Sequence, residues 1–423
     1  MSNPITQAEV DWNFANIYSR WHEKGALPDQ TDGKLACQRL RQPLFTPAIT
    51  PGFKLSREDK LFAIGSCFAR GIESALIKQK MDVLSTTTEF DSFPAANNEM
   101  KLGFTNKYNT FSIYNELRWA LEPAAEFPRE SLVNVGNGLF YDPHTNPALE
   151  LGSLEETIRR REILQSVTRR IVECRVVIIT LGLADVWRDK LADFFINHAP
   201  IPQARRSHPD RYEFHITNFA QNLSNLEGIH TLLSRFGHAD VQIVVTVSPV
   251  PLMATFSGED VVIANTYSKS MLRTVAQEWA AAHKNVHYFP SYEIVQNSDR
   301  VVTWEEDLRH VKGEVANHIM KLFLRHYFEG SPVTAAKLTA SPNPVPAGAG
   351  RGKTTISWFS GRPAAAVVYV SKDGAEPVVF ASGSHGSEEA RWIEAGATYE
   401  FSLCGGPNRN TQLARISVTR LKQ

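Results

Sequence analysis

Long apolar runs, clustered cysteines and any excess of charge are all missing from this sequence, and each absence removes a class of protein. No apolar stretch approaches the roughly 20 residues that a membrane-spanning helix needs. The first residues, MSNPITQAEVDWNF, have neither the basic start nor the apolar core of a secretory leader. Lys plus Arg and Asp plus Glu are equal at 45 each, so the charge offers nucleic acid or an anionic membrane no footing as partner. Only four cysteines occur in 423 residues, Cys37, Cys67, Cys174 and Cys404, and no two stand at CxxC or zinc-ligand spacing. A reduced, cytoplasmic, metal-free chain is the expectation, with Cys174 and Cys404 as small buried hydrophobes beside strand-like runs. Phosphate-cradling motifs are missing too. No GxxxxGK or GxGxxG falls between 60 and 330, and AGAGRGK at 347–353 lacks the strand–helix setting such a loop needs, so no cofactor is expected.

What is present is alternation. KLFAIG, VVIITLG, VQIVVTVSPV and VHYFPSY read as short strands, VVIITLG too continuous in β-branched residues to be one-sided and VQIVVTVSPV stopped by Pro249 and Pro251. Between them lie helical patterns: FARGIESALIKQK, SLEETIRRREILQSVTRR with a capping box from Ser153 to Glu156, SKSMLRTVAQEWAAAH, and a terminal HVKGEVANHIMKLFLRHYF. This order predicts an α/β domain over 60–330, a parallel sheet flanked by helices on both faces. Residues 1–59 read as an N-terminal extension. EGSPVTAAKLTASPNPVPAGAGRGK reads as a linker, and the alternating runs after it predict a small C-terminal β-sandwich, immunoglobulin- or fibronectin-like, over 331–423. Its aromatics Trp358, Tyr369, Trp392 and Tyr399 are expected in its core, with an exposed carbohydrate-binding strip as the alternative.

Ligands of open α/β sheets bind at the carboxyl ends of the strands. The residues expected there are Gly65, Ser66 and Cys67 after the first strand, Gly182, Leu183, Ala184 and Asp185 after the second, and Ser248 after the third. Just before the last helix stands EEDLRHV, in which Asp307 and His310 are three apart. A short turn there can bring the carboxylate to one imidazole nitrogen and leave the other free as a base. QARRSHPDRYEFH fits no metal site and reads as a solvated loop. In TYSKS, Ser268 and Lys269 match no Ser-x-x-Lys motif, and Thr266 or Ser268 is expected to cap the following helix.

A strand-end nucleophile, a Gly-centred loop and a late Asp-x-x-His resemble the SGNH, or GDSL-like, hydrolase superfamily. The GSCFA run at Gly65–Ala69 is the signature of one branch, the GSCFA family. KYNTFSIYNELRWAL, TLGLADVW, TVSPVPL, ANTYSKSMLR and FPSYEIV also resemble that family, so the likeness spans roughly Leu61 to Phe323. In the superfamily's Gly-Asp-Ser register, Ser66 falls at the Asp position and Cys67 at the nucleophile. Sliding by one residue would make Ser66 the nucleophile instead. A thiol at a helix N-terminus near an imidazole is the better-activated of the two.

The resemblance implies an ester hydrolase or acyltransferase, with an O-acylated glycan or small-molecule ester as substrate. His310 would shuttle the proton and Asp307 would orient it. The Cys67 N–H, Gly103, Asn109 and Gly182 would supply or shape an oxyanion hole. Ala184 departs from the pattern, because it stands where the superfamily has an amide donor. That departure favours a competing expectation, a non-catalytic module that binds a glycan or a partner, with the C-terminal domain contributing carbohydrate or protein contacts.

Overall fold

The computed structural model describes residues 6–14, 16–23, 33–92, 103–146, 149–328, 336–360, 366–383, 385–405 and 411–421. Contacts divide the chain into two compact units, Gly52–Leu324 and a second made of Met1–Pro51 with Arg325–Gln423. The N-terminal residues therefore cluster with the C-terminal ones.

The first unit is built on a five-stranded parallel sheet. Its spatial order is Val286–Tyr288, Gln242–Val247, Val176–Leu181, Lys60–Gly65, Asp82–Val83. Numbered along the chain, that is 5-4-3-1-2. The direction of winding thus reverses between the strands Lys60–Gly65 and Val176–Leu181, which pair in register from Leu61 opposite Val176 to Gly65 opposite Thr180. A crevice opens at such a reversal because the two following segments leave toward opposite faces.

Both faces of the sheet are covered, so Val176–Leu181 is buried at every position. Val177, Ile179, Ile243 and Val245 pack with Leu226, Ile229 and Leu233 of the helix Phe219–Phe236 and with Leu272, Val275 and Trp279 of the helix Val261–Ala282. Each such side chain contributes about 1.5–3 kcal/mol by leaving water. The helix Leu154–Arg169 begins as its sequence predicts: Glu156 N–H donates to Ser153 Oγ, and Ser153 N–H donates to the Glu156 carboxylate.

Three local expectations give way to tertiary packing. The helix expected from Ser268 starts seven residues earlier at Val261, capped by Asp260, so Thr266 and Ser268 lie inside it. The segment expected as a solvated loop holds a helix, Pro202–Ser207, and a strand, Tyr212–Ile216, paired with Asp185–Asp189. Within the expected linker, Lys337–Ser341 is a strand, because Leu338 alternates inward against the sandwich core; residues 329–335 of that linker lie outside the described residues.

The sandwich has a three-stranded sheet, Lys337–Ser341, Gly352–Phe359 and His385–Ile393. Its other sheet has four antiparallel strands, in the order Val378–Ser382, Ala366–Lys372, Thr398–Gly405, Thr411–Thr419. Ile356 and Trp358 of one sheet share a core with Val368, Val370, Tyr399 and Phe401 of the other. Trp392 packs against this core, and Tyr369 is buried with Val367 and Cys404. The four aromatics expected in the core are thus spent on packing.

Candidate active site

Gly65 ends its strand with φ of +141°, and a Cβ there would lie 2.2 Å from Thr180 Oγ1, so glycine alone fits between the two strands. Ser66 follows as the N-cap of the helix Cys67–Lys78. Its N–H donates to Thr180 Oγ1 at 3.0 Å, and its buried hydroxyl accepts from Phe68 N–H at 3.3 Å. The Ser66 oxygen is committed to the turn. Cys67, the first helical residue, remains partly exposed at the mouth of the crevice.

Burial pushes the Cys67 thiol above its ordinary value, while Arg309, Lys269 and the N–H groups of Phe68 and Cys67 itself pull it down. The site therefore penalises a thiolate by desolvation and offsets the penalty with two cations and a helix terminus.

Asp307 and His310 come together locally, as their spacing implies. The turn that joins them holds Leu308 at φ of +52°. Asp307 Oδ1 accepts the N–H groups of Arg309 and His310, both at 2.9 Å, and Oδ2 accepts His310 Nδ1–H at 2.5 Å. These bonds hold the Asp307 carboxyl far below its usual range and put the imidazole in the Nδ1–H tautomer. The free nitrogen, Nε2, accepts from Arg309 Nη1 at 3.1 Å. Among the described residues no hydrogen bond joins Cys67 to His310; Arg309 is the residue that interacts with both.

The expected oxyanion residues divide. Gly103 opens a short turn running to Thr105, where a Cβ would meet the Asn146 amide at 2.2 Å. Gly182 has a packing reason of its own, since a Cβ there would lie 2.4 Å from the Tyr108 carbonyl oxygen, which accepts Leu183 N–H. Asn109 is used elsewhere. Its Oδ1 caps the helix Thr110–Leu121 through Ser112 N–H, and its Nδ2 donates to the Ile196 and Asn197 carbonyls. Ala184 lies in the hydrophobic core, its N–H bonded to Ser268 Oγ at 2.9 Å.

Three residues of this neighbourhood carried no sequence signal. Asn106 bridges to Gly65 and donates through Nδ2 to the Tyr108 hydroxyl at 3.2 Å; the hydroxyl in turn is coupled electrostatically to Cys67. Lys269, read as bland, is fully buried and donates to the Gly182 carbonyl at 2.8 Å. Arg309 stands between Asp307 and His310 at a position to which the Asp-x-x-His spacing gives no role. Among the described residues no cluster of His, Cys, Asp or Glu could hold a metal ion, and no helix is long and apolar enough to cross a membrane.

The model of the GSCFA family matches residues 60–323. No curated protein matches the chain. Among solved structures, a Clostridium thermocellum family 3 carbohydrate esterase aligns at 10% identity over 64% of this chain and 94% of its own, with a TM-score of 0.26. An FMN-binding beta-glucuronidase from Facaelibacterium prausnitzii L2-6 aligns at 8% identity over 63% of this chain and 39% of its own, with a TM-score of 0.15. Likeness at that level says nothing about activity.

Proposed function

The chain belongs to the GSCFA family, and from that premise we propose that it cleaves or transfers ester-linked acyl groups through a thioester on Cys67. One observation carries the reading: a partly exposed thiol at a helix N-terminus, on the switch point of the sheet, feels the charge of Arg309, and Arg309 is bonded to the imidazole of an Asp–His pair. Once Arg309 has moved, His310 Nε2 takes the proton of the Cys67 thiol; the thiolate attacks the ester carbonyl carbon, a C–S bond forms as the carbonyl π bond opens, and the carbonyl oxygen takes the negative charge. The Cys67 N–H is the donor assigned to that charge, with the Asn106 amide, whose backbone bridges to Gly65, proposed as the second donor in place of Asn109. On collapse the C–O bond breaks, and His310 delivers a proton from Nε2 to the departing alkoxide. Water, or a second hydroxyl, then attacks the thioester carbonyl while His310 takes its proton, and the thiolate is released. Asp307 keeps Nδ1 protonated throughout. His310 must exchange the Arg309 N–H for the leaving oxygen, so substrate entry has to displace Arg309.

The substrate class we favour is an O-acylated carbohydrate, on the strength of the resemblance to the SGNH hydrolases. A second reading, a binding module, is favoured by the protonated state that burial imposes on Cys67 and by the engagement of His310 Nε2 with Arg309. One experiment decides between them. Activated acyl esters and O-acetylated oligosaccharides are incubated with the protein, and Cys67 is examined by mass spectrometry. An acyl adduct that is lost in Cys67→Ala and slowed in His310→Ala is the expected result. A Cys67 that takes no acyl group and alkylates no faster than Cys37 would make the binding module the better account.

A further inference from the structure

We infer that Lys269 is the charge partner of Cys67, an ammonium built into the floor of the crevice to hold the thiolate. The inference rests on Cys67 being the reactive atom of the site. Three observations support it. Lys269 reaches the end of the sheet that carries Cys67: it donates to the carbonyl of Gly182, two residues beyond Thr180, and Thr180 pairs with Gly65, two residues before Cys67. Parallel strands lie roughly 4.8 Å apart, which puts the Gly182 carbonyl and Cys67 on neighbouring strand ends.

The second observation is that Lys269 is fully buried, yet no ion pair joins it to a carboxylate among the described residues; its hydrogen-bond partner is a carbonyl. A buried ammonium without an anion is costly, and a structure that keeps one has left the place of the anion open. The third is position. Ser268 and Lys269 tie down the loop where Ala184 replaces an amide donor, Ser268 through the Ala184 N–H and Lys269 through the Gly182 carbonyl. A cation is thus bonded to the same loop in which the resemblance implies a neutral donor.

The charged and titratable groups facing this pair come from several elements. Cys67 lies on the helix Cys67–Lys78, Arg309 on the turn before the last helix, and Tyr108 on the loop after Gly103. Burial pushes Lys269 down to about 7, Cys67 pulls it back up, and Arg309 lowers it further. Ionisation of the thiol releases its proton to solvent in the free protein, or to His310 Nε2 once Arg309 has moved. In either case the thiolate favours the protonated amine, so the two groups titrate as a unit.

The test follows Cys67 alkylation by iodoacetamide against pH in the intact protein. Lys269→Met conserves volume and removes the unpaired charge, so the fold should persist. The expected result is a labelling midpoint moved up by at least one pH unit, which is roughly tenfold slower labelling near neutrality. Ser268→Ala breaks the neighbouring tie to Ala184 without touching charge and should leave the midpoint in place. A Lys269→Met profile equal to wild type, or an equal shift in Ser268→Ala, overturns the inference.

Should Lys269→Met not fold, the same question is put to the wild type by lysine 13Cε NMR. One lysine should titrate near neutrality, and in Cys67→Ala its midpoint should fall. A full set of lysines titrating together near 10 overturns the inference. Failure of the acyl-enzyme reading looks different, because acyl esters would then leave Cys67 unmodified while the Lys269-dependent shift in alkylation remained.

Discussion

Lys107 and Lys269 are both sealed from solvent in the same α/β unit, yet their surroundings differ in kind. Lys107 Nζ donates to Glu116 Oε2 and to the His144 carbonyl, each at 2.6 Å. Arg161 donates to the same Glu116 oxygen at 2.6 Å and to Asp142 Oδ2 through Nη2 at 2.6 Å and Nε at 3.0 Å. Two cations meet two carboxylates, and the cluster is neutral. Burial pushes Glu116 upward, but Arg161 and Lys107 outweigh it and hold the carboxyl below its usual value. Around Lys269 the balance is left open: two cations and a thiol, with Asp307 already bonded to His310. A closed set of charges fixes geometry, whereas an open one leaves room for an anion, which in the proposed function is the Cys67 thiolate.

Breaking the closed cluster should produce the largest effect. Glu116→Gln leaves Lys107 and Arg161 sharing one carboxylate in the interior, and a loss of about 3–5 kcal/mol is expected in urea unfolding. A loss under 1 kcal/mol would mean that water reaches the cluster.

Lys269→Met should act in the opposite direction, with stability at neutral pH unchanged or raised by about 1 kcal/mol. Its pH dependence sharpens the contrast. Lys269 is depressed in the folded protein, so between about 7 and the usual lysine value near 10.5 the unfolded chain binds a proton that the folded one does not. Wild-type stability therefore gains a contribution from this residue that is complete above that window and lost as pH falls to about 7. Wild type should therefore gain stability relative to Lys269→Met as pH rises through the window. A difference independent of pH would contradict the assignment.

The smallest effect belongs to His144, at the edge of the closed cluster. Its ring nitrogens have no hydrogen-bond partner among the described residues, and its ring packs edge-on to Trp119 at 4.9 Å and Phe127 at 5.8 Å. Burial, then Arg161 and Lys107, hold it well below the ordinary histidine value. Its contribution to stability is full above about 6.5 and is lost as pH falls below that. His144→Phe should change stability by less than about 1 kcal/mol at neutral pH and flatten the acid side of the stability profile. An unchanged acid limb would place the responsible protons elsewhere, with the partly buried His198, pushed down to about 4 by burial, as the next group to test.

Local chemistry was legible in the sequence wherever neighbours along the chain decide the outcome. Continuous β-branched runs became buried parallel strands, the Ser153–Glu156 box capped its helix, and Asp307 found His310 because three residues of turn suffice. Residues whose role depends on distant partners were not legible. Lys269 follows Cys67 by some 200 residues and meets it only because the sheet winds in the order it does. Asn106 and Asn109 look alike as loop residues; one lies beside Gly65 and the other caps a helix. The strand Lys337–Ser341 was hidden in a Pro- and Gly-rich stretch, since a five-residue alternation gains its meaning from the sheet edge that accepts it.

The short stretch that runs from Gly103 to Asn109 joins the two lysine environments. The side chains of Asn106 and Tyr108 meet each other on one edge, where Tyr108 feels Cys67, and Lys107 between them points into the ion cluster. Its backbone is pinned at Lys107 N–H to the Gly65 carbonyl and at Tyr108 N–H to Asn197 Oδ1. The stretch therefore behaves like a key with teeth on both edges. Adding or removing one residue would swap the edges, driving an ammonium into the crevice and an amide into the ion cluster. The length of this segment cannot change, and the distance from Gly65 to the amide edge is fixed as firmly as if the two were on one strand.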